Sequence, residues 1–164
     1  MPINPDGQQL LPSVLDRLLD DDPGVTRESS RGRNEVLRDM KRAVQRDLEN
    51  LLNTRRRCLP WSNDLRELAH SLVNYGLPDF AGVSLASLNA REEFRWRLEA
   101  VLREWEPRFQ TVRVTLIDAT EPLDRTLRFR IDALLYAQPA PEPVVFDSSL
   151  EPGTGGFKIG GGAG

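Results

Sequence analysis

One histidine and one cysteine narrow the chemistry open to this chain. His70 is the only imidazole and Cys58 the only thiol among 164 residues. A catalytic triad needs a histidine base beside its nucleophile. His70 stands among Leu68, Ala69, Leu72 and Val73, the setting of a residue that packs at the edge of a core. Cys58 follows Arg55, Arg56 and Arg57, and neighbouring cations can activate a thiol. A lone cysteine without a partner base is ordinarily a small filler. One histidine and one cysteine cannot build a zinc site of the usual kind. A single thiol also forms no internal disulfide, which fits a reducing compartment. Residues 153–158 have the composition of a phosphate loop, but the spacing is wrong and no Ser or Thr follows Lys158. No cofactor is expected.

Carboxylates are the remaining candidates. Glycoside hydrolysis needs two of them about 5 to 9.5 Å apart in a cleft. Glu104, Glu106, Asp118 and Glu121 are the nearest set. Glu104 belongs to the end of a helix, and Asp118 and Glu121 to a polar turn where acids are solvated. Glu106 lies beside a cation, the wrong setting for an acid that must hold its proton. The chain has no residues to spare for a second lobe around a saccharide. A lysozyme-like hydrolase is therefore the alternative and not the leading reading.

Glu106-Pro107-Arg108 suits recognition better. Pro107 ends the preceding helix, because it lacks an N–H and clashes with the turn before it. It also pushes Glu106 towards an extended backbone. Residues two apart in extended chain face the same way. A carboxylate and a guanidinium then stand side by side on a stiff kink. Arg108 could grip a partner carboxylate with two parallel hydrogen bonds, and Glu106 could accept from a partner amide or cation. Pro107 lowers the ordering cost of presenting both. The plainer alternative is that the two pair with each other at the surface, worth about 0–1 kcal/mol.

The elements that position this kink are written in the periodicity. Phe94, Leu98, Val101, Leu102 and Trp105 make one helical face before it, with Asn89 placed to cap the helix. After it, Val112, Val114 and Leu116 alternate with Arg113 and Thr115, predicting a strand over 109–117. Residues 118–124 form a polar turn into a second strand over about 125–136, where Leu127, Phe129, Ile131, Ala133 and Leu135 alternate with Arg128, Arg130 and Asp132. Val144, Val145 and Phe146 make a short third strand, and nearby prolines and charge mark it as an edge. The glycine-rich stretch 152–164 reads as a mobile tail.

Upstream lie three helical patterns. Leu11, Val14, Leu15, Leu18 and Leu19 predict a short amphipathic helix, broken by Asp20-Asp21-Asp22-Pro23-Gly24. Residues 25–33 are polar and read as mobile. Val36, Met40, Ala43, Val44, Leu48, Leu51 and Leu52 form the strongest stripe, ending near Asn53 and Thr54. Arg55, Arg56 and Arg57 follow, where the helix dipole favours cations. Leu59-Pro60-Trp61 is a rigid connector. Ser62 or Asn63 can cap a further helix with a core face of Leu65, Leu68, Ala69, Leu72 and Val73. Gly76 and Pro78 stop it. A loop from Phe80 to Leu88 leads to the helix before the kink. Helices first and strands later predict an α+β fold, with N-terminal helices on one face of a small antiparallel sheet of about three strands. One domain over 1–150 with a mobile N-terminus, and a flexible tail over 151–164, is the expected organisation.

Composition agrees with a packed domain: 39% of residues are hydrophobic and 29% charged. No apolar run approaches the roughly 20 residues needed to span a bilayer. The N-terminus has no positive start or apolar stretch of a secretory signal, so a cytoplasmic protein is expected. The net charge of −3 is unevenly spread, at −4 over 1–26, +5 over 27–57 and −4 over 58–164. The basic segment could touch phosphate, or simply be a solvated face that meets an acidic protein. Interleaved acids and the lack of an aromatic platform argue against nucleic acid.

Five segments taken in order carry a resemblance. They are Leu51-Leu52-Asn53-Thr54-Arg55-Arg56, Tyr75-Gly76-Leu77-Pro78-Asp79, Glu106-Pro107-Arg108, Leu127-Arg128-Phe129-Arg130-Ile131 and Glu142-Pro143-Val144-Val145-Phe146-Asp147. Over roughly residues 10–150 the chain resembles the TssE family, wedge subunits of the type VI secretion baseplate. That family is similar to the "lysozyme-like" wedge proteins of contractile phage tails. The resemblance implies a structural role without catalysis, in the cytoplasm within a membrane-docked baseplate. It implies a fold like that of the sheath subunits, which exchange strands with neighbours. Implied partners are the wedge subunits TssF and TssG, with TssK nearby, and the sheath. Glu106, Pro107 and Arg108 would contact the core helical bundle of the wedge. For Asn53, Arg55 and Arg56, partner contact and a plain dipole-matched helix end explain the residues equally well. Val144, Val145 and Phe146 would add to a sheath strand, or form an ordinary protected edge. Ser148 and Ser149 depart from the threonine common in relatives.

Overall fold

A computed structural model describes residues 14–18, 32–57, 62, 64–78, 87–117, 126–137, 140–151 and 153–161. Cys58, the 20–24 break, the polar stretch 25–31, the 59–61 connector, Asn63, the 80–86 loop and the 118–124 turn lie outside the described residues. So do Leu11 and Leu19.

Helices come first and strands after, in the order α1 (Val14–Leu18), α2 (Arg33–Asn53), α3 (Leu88–Trp105), β1 (Phe109–Ile117), β2 (Leu127–Leu135), β3 (Glu142–Glu151) and β4 (Gly156–Gly161). The fold is α+β, and its sheet is antiparallel with four strands in sequential order, not about three. The expected short edge strand at 144–146 is the first half of a ten-residue strand. Val144, Phe146, Ser148 and Leu150 all turn inward, a period-two pattern that runs well past the prolines.

The fourth strand comes from the stretch that reads as a mobile tail. Phe157 and Ile159 are buried and alternate with exposed Lys158 and Gly160. Glycine content hid this pattern. It has a local use: a Cβ on Gly160 would sit 2.9 Å from the Asp147 carbonyl, so only glycine lets β4 approach β3 there. β3 is therefore an interior strand from Phe146 onward, while Val144 and Val145 are paired on the β2 side alone. β2 flanks it throughout and β4 covers it from Phe146 to Glu151.

One sheet face and the two long helices enclose a single core. Val44, Leu48 and Leu52 of α2 meet Phe94, Leu98 and Leu102 of α3 over Phe129, Ile131 and Leu135. At its centre Phe94 stacks on Phe157 with ring centroids 6.3 Å apart, and both stand edge-on to Phe129. Such aromatic pairs contribute about 0.5–1.5 kcal/mol beyond the area they bury.

Two local expectations change. Residues 65–73 form no α-helix but two short 3-10 turns, Arg66–His70 and Leu72–Asn74. Leu65, Leu72 and Val73 are exposed, Leu72 at 82%, so they supply no core face. His70 is exposed as well, and its Nδ1 lies 3.2 Å from Glu104 on α3. The cap of α3 is Ser87, whose hydroxyl accepts from the Ala90 N–H, and not Asn89. In β1 a bulge at Gln110 shifts the register, which places Phe109 on the same buried face as Val112 although they are three apart. Val14, Leu15 and Leu18 of α1 are all exposed.

Candidate docking site

The C-terminal half of α2 is where three of the five segments converge, together with the glycine-rich stretch that forms β4. The helix ends at Asn53, and the chain turns extended at Thr54. Residues 54–56 then run beside 76–77: the Leu77 N–H donates to the Thr54 carbonyl at 2.9 Å, and the Arg56 N–H donates to the Leu77 carbonyl at 2.8 Å. Gly76 makes this possible. Its φ of +105° is left-handed, and a Cβ there would lie 2.4 Å from the Thr54 carbonyl oxygen.

Asn53 and Arg55 face β4. The Asn53 amide donates to the Phe157 carbonyl and accepts from the Phe157 N–H, both at 2.9 Å. It copies the two-point main-chain contact of a neighbouring strand. Gln45, two turns earlier on α2, donates to the Ile159 carbonyl at 2.6 Å. Arg55 reaches the Gly155 carbonyl at 2.5 Å and turns back to the Leu52 carbonyl at 3.3 Å, satisfying one of the last acceptors of α2. Asn53 and Arg55 thus help to hold the fourth strand and the turn before it, and both are exposed. Arg56 contributes its main chain to the 54–56 seam.

The Glu106–Arg108 kink lies on the other side of α2. Proline ends α3 as the sequence predicts, and the Glu106 N–H closes the last turn on the Leu102 carbonyl at 3.0 Å. The two charged side chains pair with each other, and inside the protein, not at its surface. Glu106 is only 5% exposed. Its Oε1 accepts from the Arg108 Nε at 2.7 Å and from the Arg108 N–H at 3.1 Å, and its Oε2 accepts from the guanidinium at 2.5 Å. The same guanidinium reaches Asp47 on α2 at 2.8 Å. Burial alone would favour neutral Arg108, but bonds and charges from Glu106 and Asp47 outweigh it and hold its pKa well above the ordinary value.

Asp47 is the member that sequence reasoning missed. It sits 61 residues from Arg108, and nothing local marks it among the acids of a basic segment. Tyr75 packs edge-on against Trp105 with centroids 5.3 Å apart. Burial first, then the charges of Asp47 and Glu106, push its hydroxyl pKa up. Aromatic pair and ionic triad together lock three segments: Asp47 of α2, Tyr75 before Gly76, and the α3–β1 kink. What this corner offers to solvent is Pro107, a quarter of the Arg108 side chain and a third of the Asp47 side chain. On the strands, Val144 and Phe146 are buried in the core face, and Val145 lies on the open face at 36% exposure. Val144 and Val145 pair with Ala133 and Asp132 of β2 and lie just past the last β3–β4 pair.

The chemistry available here is cohesion and presentation. Among the described residues, no three His, Cys, Asp or Glu side chains come together in a way that could hold a metal ion. Among them, too, no helix is long and apolar enough to cross a membrane.

No curated protein and no solved structure matches the chain. The family model for baseplate wedge protein gp25 does, over residues 38–140, which takes in α2 from Arg38 onward, the 76–77 seam, α3, the kink and the β1–β2 hairpin. That match covers more than half of the 164 residues, and the chain belongs to the baseplate wedge protein gp25 family.

Proposed function

We propose that this protein is the TssE-type wedge subunit of a type VI secretion baseplate. In this reading it joins the core bundle of TssF and TssG, with TssK nearby, to the first ring of the contractile sheath. It works in the cytoplasm, in a baseplate docked on the membrane, and makes or breaks no covalent bonds. The observation that carries the baseplate role is the family match, which spans the residues forming the corner and its supports. The order of the five sequence segments supports the type VI assignment over a phage tail.

The corner docks on the wedge as a preformed unit. Its ions are already paired to each other and to Asp47, so a partner meets Pro107 and the exposed rim of Arg108 on a rigid frame. Preformed geometry lowers the ordering cost of binding. Charge reversal of Glu106 or Arg108 is consequently a poor test, because it would leave a buried charge unpaired and unfold the domain. Pro107→Glu alters the exposed crest, adding a charge and loosening the kink's backbone, and leaves every member of the buried triad in place. Affinity purification of the wild-type protein from its own cells should recover TssF, TssG and sheath subunits, and Pro107→Glu should lose TssF and TssG while its melting temperature stays within a few degrees. Recovery of none of these subunits by the wild-type protein would reject the baseplate reading.

A further inference from the structure

The sheet is covered on one face only. α2 and α3 lie on the side of Val112, Phe129, Ile131 and Phe157, and every outward residue of the four strands is exposed or half-buried. That outward face has two unlike halves. In one the charges are matched: Arg130 bonds Asp147 at 2.8 Å and Lys158 bonds Glu151 at 2.9 Å. In the other lie Leu134, Tyr136, Pro143 and Val145. Register sets Leu134 beside Pro143 and Asp132 beside Val145. Tyr136 continues the outward row of β2, its N–H bonded to the Arg108 carbonyl at 2.9 Å. Tyr136 is 60% exposed and Val145 36%. Arg113 borders this group, across from Asp132. Among the described residues Arg113 makes no hydrogen bond or ion pair. The result is an apolar patch with a cation at its rim.

The complementary surface is α1. Its Val14, Leu15 and Leu18 are all exposed, and spacings of three and four put them on one helical face. The segment that carries them is acidic, with a net charge of −4 over residues 1–26. Residues 19–31 join α1 to the Gly32 cap of α2, and a tether of that length spans up to about 45 Å. α2 in turn runs close to the patch: Lys41 reaches Glu142, the residue before Pro143, at 3.4 Å.

We propose that α1 docks on the apolar half of the open sheet face, laying Val14, Leu15 and Leu18 against Leu134, Tyr136 and Val145, with its acidic segment beside Arg113. The exposures of both surfaces are those of the undocked state. The docking is intramolecular. A short tether sets an effective concentration in the millimolar range, so a contact of only millimolar affinity is populated within one chain. Four apolar side chains fall short of the roughly 800 Å² per partner that a stable dimer buries, so a second copy gains too little here. A contact this weak is also reversible: α1 shields the patch in the free subunit and gives it up to a stronger competitor.

NMR of the full-length wild-type protein on its own tests this. Nuclear Overhauser contacts should join the methyl groups of Val14, Leu15 and Leu18 to those of Leu134 and Val145 and to the Tyr136 ring, and should persist on dilution. Leu15→Asp should abolish them and shift the Leu134 and Val145 methyl resonances, while the Phe94, Phe129 and Phe157 signals stay in place. Arg113→Gln should weaken docking about two- to five-fold, read from the same resonances, as loss of a surface charge pair does. Both substituted residues are exposed, so the fold survives either change. Contacts that fade on dilution mean that a second copy supplies α1, and overturn the intramolecular assignment. Contacts from α1 to Leu72 and Val73 instead, or none at all with Leu134 and Val145 unshifted in Leu15→Asp, overturn the site. Equal docking in wild type and Arg113→Gln removes Arg113 from it. Every reading is taken on the isolated protein, so failure here leaves the baseplate reading standing, and failure of that reading leaves the docking of α1 intact.

Discussion

The two sides of α2 are joined to the rest of the molecule by opposite chemistry. Towards β4 the seam is made of side chains bonded to main-chain groups, chiefly the neutral amides of Gln45 and Asn53. Towards the α3–β1 kink it is an ionic triad in which one guanidinium serves two carboxylates, one of them buried. The difference lies in what each seam loses when a member is removed. An amide taken from the β4 seam leaves neutral polar groups at a strand edge that water can reach. A charge taken from the triad leaves an uncompensated ion in the interior, which is far more costly. The first seam closes a strand on the core, whereas the second fixes the angle at which one helix hands over to the sheet.

The largest effect should therefore come from Arg108→Ala, which leaves the buried Glu106 carboxylate without its cation. Urea unfolding is expected to show a loss of about 3–5 kcal/mol. Arg108→Lys separates charge from geometry: it keeps the cation but cannot span Glu106 and Asp47 with a planar fork, so its loss should be intermediate. If Lys matched Arg, the triad would be a matter of charge alone.

Asn53→Ala should come next, at about 1–3 kcal/mol, because Phe157 loses the partner of both its N–H and its C=O. The comparison predicts more than a ranking. Raised salt should narrow the gap between wild type and Arg108→Ala, since one triad member, Asp47, is a third exposed. It should leave the Asn53→Ala difference unchanged. Equal salt responses would mean that the two seams do not differ in kind.

How far the sequence reveals this architecture depends on the range over which each feature is encoded. α2, α3, β1 and β2 are legible because each carries its own periodicity, short in β1 and over at least nine residues in the others, and every apolar residue on the predicted faces of α2 and of the β2 inner row is buried or packed on the core. The 65–73 stretch carries a helical spacing too. There, however, the spacing does not make a helix: the chain takes 3-10 turns, and Leu65, Leu72 and Val73 are left exposed. β4 failed in the opposite sense. Its two inward residues are few, and its glycines, of which Gly160 permits the close approach to β3, look like a linker.

The candidate site is legible in its residue types and not in their partners. Glu106, Pro107 and Arg108 form the helix-ending corner that the proline dictates, yet whether the two ions face out or in is decided by Asp47 and by the Tyr75–Trp105 pair, which come from other parts of the chain. Asn53 is similar. Its place at a helix end is local information, and its grip on Phe157, 104 residues away, is not.

The smallest effect concerns the far end of the β4 seam, where charge returns. Lys158 bonds Glu151 at 2.9 Å across the β3–β4 turn, with Thr154 at 3.4 Å. The Lys158 bond and charge hold Glu151 below the ordinary carboxylate range, and Glu151 in turn raises Lys158. A carboxylate depressed by folding contributes stability above its unfolded pKa and loses it as pH falls through the lowered folded value. The pair should thus be indifferent to pH through the neutral range, weaken in acid as Glu151 takes up a proton, and weaken again only in alkali as Lys158 loses one. Amide exchange at residues 154–158 should quicken in wild type as pH drops below that range, after correction for intrinsic rates, and should already be quick and flat in Glu151→Gln. Because both side chains are solvent-exposed, the change should stay local to the turn, while Phe157 keeps its place between Phe94 and Phe129. An acid-driven release of the whole strand would mean that this exposed pair, and not the amides of α2, holds β4 on the sheet.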